Sequence, residues 1–228
     1  MGGRIVRKAV ADPLPPLLGK LHIGKKAVSQ SGKEYPVACD FFVPSGKYAS
    51  LFTQAYGENP SSLLIYFPSD DPSLVCNERY EYRDSKGKKI AEGDGEEFIV
   101  FSAKEGKRVR VTTEQMPDIM ERIEEKFPSP QGWKVTLTLK FVLPLVSKIY
   151  GVWSFETKAV ASSIPQIRDC FDSMLAKNGR IAGVLCDLNV KFAKSDSPLA
   201  SKFPVVSLVP NETEQNISKI QSLKQIGQ

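Results

Sequence analysis

Asn77-Glu-Arg-Tyr-Glu-Tyr-Arg-Asp-Ser-Lys-Gly-Lys-Lys-Ile-Ala-Glu-Gly-Asp-Gly-Glu-Glu-Phe-Ile-Val-Phe101 is the most strongly patterned stretch of the chain. Tyr80 and Tyr82 alternate with Arg79, Glu81 and Arg83, the two-residue period of a half-buried strand. Asp84 to Gly87 supplies turn chemistry, the chain returns through Ile90, and Glu92 to Gly95 turns it again into Phe98 to Phe101. Acidic and glycine residues at both reversals allow the tight turns that join antiparallel strands. The stretch therefore predicts a three-stranded meander and anchors a reading of the whole chain as α+β, mainly antiparallel sheets with about three helices.

Toward the N-terminus, Leu18 to Val28 and Tyr35 to Val43 read as two strands joined by the polar turn Ser29 to Lys33. Ser45 is placed to cap a helix carrying Tyr48, Leu51, Phe52, Ala55 and Tyr56, with Gly57 as its left-handed stop. Leu63 to Phe67 is short and apolar, as a buried strand would be. Toward the C-terminus, a helix near Pro117 presents Ile119, Met120, Ile123 and Phe127 on one face. Lys134 to Phe141 alternates strictly, and Gly151 to Thr157 is its expected partner. A helix from Ser163, with capping-box spacing to Gln166, buries Ile167, Phe171, Met174 and Leu175 and ends at Asn178-Gly179. Ile181 to Phe192 and Phe203 to Val209 read as two further strands.

Pro128-Ser-Pro-Gln-Gly132 is the strongest break, so the expected division is a basic arm at 1–17, one α+β subdomain at 18–128, a second at 129–211, and a polar tail at 212–228. In that tail Ile217, Ile220, Leu223 and Ile226 recur every three residues, a spacing that drifts around an α-helix and makes a poor stripe.

The 228 residues carry a net charge of +5. The excess is confined to Met1 to Lys26, where Arg4, Arg7, Lys8, Lys20, Lys25 and Lys26 face Asp12 alone. This segment is either an arm for phosphate or an acidic partner, or a solvated terminus. No apolar run of about 18 residues marks a membrane span, and the N-terminus lacks the apolar region of a secretory signal, so a cytosolic protein is expected. Cys39, Cys76, Cys170 and Cys186 lie far apart without metal-ligand spacing and read as reduced, buried thiols.

No nucleophile elbow, phosphate loop or dinucleotide fingerprint is present, and the single histidine, His22, lies in a strand. No catalytic residue, metal site or cofactor is predicted. The acidic groups Asp70-Asp71 and Glu92, Asp94, Glu96 and Glu97 lack calcium-loop spacing and are expected to be solvated turns. Basic residues beside aromatics suggest nucleic-acid contact instead, charge for phosphate and rings for bases. Arg4, Arg7, Lys8, Lys25, Lys26, Lys88, Lys89, Lys107 and Arg108 are the candidate contacts, with Lys86, Lys104, Arg110, Tyr80, Tyr82 and Phe101 nearby. The competing reading places these aromatics in the core and cancels the charges against neighbouring carboxylates.

One longer pattern adds to this. Leu18-Gly-Lys-Leu-His-Ile-Gly24, Phe42-Val-Pro-Ser-Gly-Lys-Tyr48, Phe52 to Gly57, Cys76 to Asp84 with Gly93-Asp-Gly95, Leu137 to Leu143, Ser162-Ser-Ile-Pro165 and Phe203 to Asn211 follow one another in an order that resembles the recombination directionality factors of phage large serine integrases. The resemblance spans Leu18 to Asn211. It implies a protein without enzymatic activity, acting in the cytoplasm of a bacterial host, that binds an integrase on attachment-site DNA and switches it from integration to excision. It designates no integrase-contact residue. A phage single-stranded nucleic-acid-binding protein is the alternative, carried by the basic and aromatic strands between Arg79 and Arg110.

Overall fold

The computed structural model describes residues 14–102, 104–112, 114, 116–194 and 202–211, without the side chains of 116, 117 and 119. Arg4, Arg7, Lys8 and the tail from 212 onward lie outside the described residues. The architecture is α+β, as expected. Strands β1 (Leu17–Val28) and β2 (Glu34–Ser45) form the predicted hairpin, and helix α1 (Ala49–Tyr56), β3 (Ser62–Tyr66) and the one-turn helix α2 (Pro72–Val75) follow. The meander is β4 (Cys76–Arg83), β5 (Lys89–Gly93) and β6 (Glu97–Ser102), lengthened by β7 (Lys107–Thr112). Then come α3 (Met116–Lys126), β8 (Trp133–Phe141), β9 (Val152–Thr157), α4 (Ser163–Asn178), β10 (Leu185–Ala193) and β11 (Phe203–Pro210). Among the described residues no helix is long and apolar enough to cross a membrane.

Eight strands join in the order β2-β1-β9-β8-β4-β5-β6-β7, and three in the order β11-β10-β3. All neighbours are antiparallel except β1 and β9, which run parallel from Leu17↔Val152 to Leu21↔Phe155. The predicted pairing of β8 with β9 is present, with Leu139 opposite Phe155. On its other side β8 pairs with β4, from Cys76↔Leu139 to Tyr82↔Trp133, across the Pro128 to Gly132 break. The two sheets are joined where Tyr66 and Val142 exchange backbone hydrogen bonds of 3.1 and 2.9 Å.

Alternation along these strands sends one set of side chains inward. The larger cluster packs Leu21, Phe42, Leu137, Phe141, Trp153 and Phe155 of the large sheet against Ile167 and Phe171 of α4 and Leu188 and Val206 of the small sheet. Trp153 reaches into this core across Gly19, where an added Cβ would stand 2.5 Å from the Ser45 carbonyl oxygen and 2.6 Å from the indole. A second cluster, Tyr82, Ile90, Ala91, Phe98, Val100 and Ile123, lies between β4 to β6 and α3. Met120 and Phe127 pack on it from the predicted helical face.

Three local expectations need correction. Ser45 does not cap α1; it ends β2, its Oγ 2.9 Å from His22 Nε2, and the N-cap is Tyr48 with no side-chain hydrogen bond. Nor does Ser163 form a capping box: it is already helical and buried, and its Oγ accepts the Val206 N–H at 2.9 Å. The sequence offered a serine at the right spacing, but a strand arriving from 43 residues away is the partner. Gly57 does end α1 with positive φ, 83°, but its ψ of −173° is extended, not left-handed helical. At α4 the expected left-handed closure is present at Gly179.

Candidate binding surface on the outer face of the large sheet

The side chains that alternate away from the two cores line the other face of the eight-stranded sheet. Register carries this face from strand to strand: Lys20↔Ser154, Ser154↔Lys140, Thr138↔Asn77, Thr136↔Arg79, Lys134↔Glu81, Glu81↔Glu92, Glu92↔Ile99 and Ile99↔Arg110. It is polar because the strands are amphipathic, and its polar groups are arranged as a chain of ion pairs.

Glu81 is at the centre and only 6% exposed. Arg83 holds it at 2.9 Å, and Lys89 bridges from Glu81 to Glu92, at 2.7 Å from the latter. Arg108 closes on Glu92 at 3.0 Å. Burial alone would raise the Glu81 carboxyl, but Lys89 and Arg83 together outweigh it and hold the group below the usual range. Glu92 follows the same logic: burial raises it, and Lys89 and Arg108 bring it down further. Burial would lower Lys89, yet its two carboxylates raise it. Toward the strand edges the pairs become exposed, Lys20 with Glu156 at 3.1 Å and Arg110 with Glu97 at 3.0 Å. Such exposed pairs contribute about 1 kcal/mol or less each.

The structure gathers some of the candidate contact residues and separates others. Lys88, Lys89, Lys107 and Arg108 share the β5 to β7 end of the sheet. Lys88 Nζ stands 5.0 Å from the centre of the Phe101 ring, and Phe101 is opposite Arg108, so one aromatic ring is flanked by two cations on this face. Lys107 pairs with Glu105 at 3.2 Å. Lys25 and Lys26 sit on the hairpin at the opposite end, Lys25 over Phe41 at 5.6 Å and Lys26 paired with Glu34 at 2.7 Å. Of the aromatics grouped with these cations, Tyr82 is buried and donates its hydroxyl to the Phe127 carbonyl at 2.9 Å, while Tyr80 is exposed beside Phe98.

The acidic groups have structural employment. Asp70 accepts the backbone N–H groups of Ile181 and Ala182 at 2.6 and 2.7 Å, which lowers its pKa and clamps the loop after β3 to the segment before β10. Asp71 caps α2 through the Ser73 N–H. Asp94 accepts from Glu97 and Glu96, which lowers it likewise. Among the described residues no group of three or more His, Cys, Asp or Glu side chains could hold a metal ion. None of the four cysteines forms a disulfide; burial, with Asp172 and Glu78 nearby, pushes the Cys76 thiol up to about 12. A thiol of that kind is protonated and inert at neutral pH.

Sequence reasoning did not single out Thr136, Thr138, Lys134 and Lys140 as part of this candidate surface. The strict alternation of β8 carried the signal, since it sorts these residues onto one face opposite the core. No curated protein and no solved structure matches the chain. A family model does: residues 18–211 match one described as Gp3-like, recombination directionality factor-like.

Proposed function

Because the chain belongs to this recombination directionality factor-like family, we propose that it is a non-catalytic factor that binds a large serine integrase on attachment-site DNA and turns it from integration to excision. The observation that supports this reading is the extent of the match, which takes in both sheets, the four helices of the described residues and both cores. The physical task is a difference in affinity. The factor has to prefer the excisive integrase–DNA arrangement over the integrative one, and each tenfold in that preference requires about 1.4 kcal/mol. An extended rigid surface suits such work.

Purified chain mixed with its cognate integrase is expected to promote recombination between attL and attR and to inhibit it between attP and attB. If neither rate changes, the proposal fails. A second reading, single-stranded nucleic-acid binding, is favoured by Phe101 between Lys88 and Arg108. It requires an oligonucleotide gel shift at low salt that weakens steeply as salt rises.

A further inference from the structure

Three buried side-chain atoms have no hydrogen-bond partner among the described residues: Trp133 Nε1, Thr136 Oγ1 and Ser154 Oγ. Trp133 is packed between Tyr82 and Phe98 in the smaller core. The two hydroxyls belong to the outer face of the large sheet, where register puts them on neighbouring strands β8 and β9. Thr136, 2% exposed, forms part of the wall of a recess of about 400 Å³ shared with Asn77, Arg79, Thr138 and Lys140. An unpaired buried hydroxyl is destabilising, because its lost hydration is not replaced. Valine would fit the same strand position without that cost.

Two cations of the recess have no carboxylate paired to them among the described residues, one beside this hydroxyl and one four residues further along β8. Arg79 lies directly opposite Thr136 and engages only its Nε, with Asn77 Oδ1 at 3.2 Å. Lys140 is on the same face of β8 and opposite Ser154. The recess also contains Glu81, Glu92 and Glu156, but each is already paired, with Arg83 and Lys89, with Lys89 and Arg108, and with Lys20. Asp94 feels Arg79 weakly and is held mainly by backbone N–H groups. The lining itself carries three cations, Arg79, Lys89 and Lys140, against these three carboxylates, but Arg83, Arg108 and Lys20 reach the carboxylates from outside the recess, which leaves Arg79 and Lys140 as the lining cations without a carboxylate partner.

We propose that this recess binds a phosphate oxyanion, gripped by the Arg79 guanidinium, the Lys140 ammonium and the Thr136 hydroxyl. A guanidinium fork offers paired donors to two oxygens of one phosphate, while an ammonium and a hydroxyl approach from a neighbouring strand. Donors arriving from two strands suit a tetrahedral group with several acceptor oxygens better than a planar carboxylate. Free phosphate and a nucleic-acid backbone present the same group, and the two sources are separable. The site is independent of the integrase reading: a negative recombination assay leaves it standing, and a negative anion titration leaves that assay's outcome untouched.

The test titrates the full chain at low salt with inorganic phosphate, followed by calorimetry or amide chemical shifts, and with labelled single-stranded and duplex oligonucleotides, followed by anisotropy. Saturable binding of at least one probe is expected. Arg79→Gln and Lys140→Gln should weaken it at least tenfold and Thr136→Val at least threefold, with Lys177→Gln, on α4, within twofold of the parent. Thermal melts of all variants separate lost binding from lost folding, and Thr136→Val should melt no lower than the parent. Oligonucleotide binding displaced by phosphate assigns the backbone as the source; phosphate binding alone assigns a free phosphate. No saturable binding by the parent up to roughly 10 mM phosphate or by either oligonucleotide overturns the proposal. So does binding that the three recess variants leave unchanged.

Discussion

The two ends of the large sheet are made of similarly alternating strands but are covered unequally. At the β1, β9 and β8 end the inner face is roofed by α4 and the second sheet, and Phe42, Phe141, Trp153 and Phe155 are all buried beneath that roof, with Phe171 of α4 buried against them from above. At the β5, β6 and β7 end the roof among the described residues is α3, and the buried hydrophobic cluster there has six members. On the outer face the order reverses: the densest ion pairing, around Glu81, Lys89 and Glu92, lies toward the thinly roofed end. Apolar burial at about 25 cal/mol per Å² scales with area, so the well-roofed end carries most of the stability. The other end depends on a small core and on charges. Local opening should therefore begin at β5 to β7 with α3.

The largest test of this contrast is Phe171→Ala, which removes a fully buried ring packed edge-on against Phe67 at 5.1 Å. It should cost about 3–5 kcal/mol and lower the transition of the whole chain in urea melts. Ile123→Ala should cost about 2–4 kcal/mol, but with a local signature: hydrogen exchange accelerating in α3 and β5 to β7 while the α4 amides stay protected. Equal acceleration in α4 would mean that the two clusters open as one unit, and the contrast would be broken. Asp70→Ala removes the acceptor that ties the loop after β3 to the start of the β10 segment. Its expected cost is about 1–2 kcal/mol, since Asp70 is exposed and water can replace part of the bonding.

Acid supplies the smallest test. Glu81 and Glu92 have folded pKa values below their unfolded ones. Their contribution is thus fully present above the ordinary glutamate value of about 4.3 and is lost as pH falls through the lower folded values. The stability of the α3 end should fall by about 1 kcal/mol or less over that window, followed by the exchange of the β5 and β6 amides. Glu92→Gln should flatten the dependence.

Much of this organisation was legible in the sequence because it is local. Period-two alternation located β4 and β8, the polar turns located the hairpins and β6, and the apolar face of α4 was read correctly down to its Gly179 closure. What was not legible depends on partners distant along the chain. Ser45 and Ser163 look like caps by spacing, yet they serve His22 and Val206. The acidic cluster at Glu92 to Glu97 looks like a solvated turn, yet Glu92 lies in the main ion-pair chain. In the candidate surface, Lys88, Lys89 and Arg108 were identifiable as basic residues near aromatics. Arg79 and Lys140 were not, because only the β4–β8 register, fixed by folding, brings Arg79 to the strand that carries Lys140 and opposite Thr136.

The parallel seam between β1 and β9 has a consequence for how the chain is made. Lys20 and Glu156, paired across that seam, are 136 positions apart. At synthesis rates of 5–20 residues per second, roughly 7–27 s separate the emergence of the two strands from the ribosome. Throughout that interval the β1–β2 hairpin has one unzipped edge and keeps Leu18, Leu21 and Phe42 uncovered. Closing so long a loop is also slow by itself, since its entropy must be lost before the seam returns any contact. The nascent hairpin is therefore a natural client for a holding chaperone, and the sheet is sewn shut from its middle only after two-thirds of the chain has been translated.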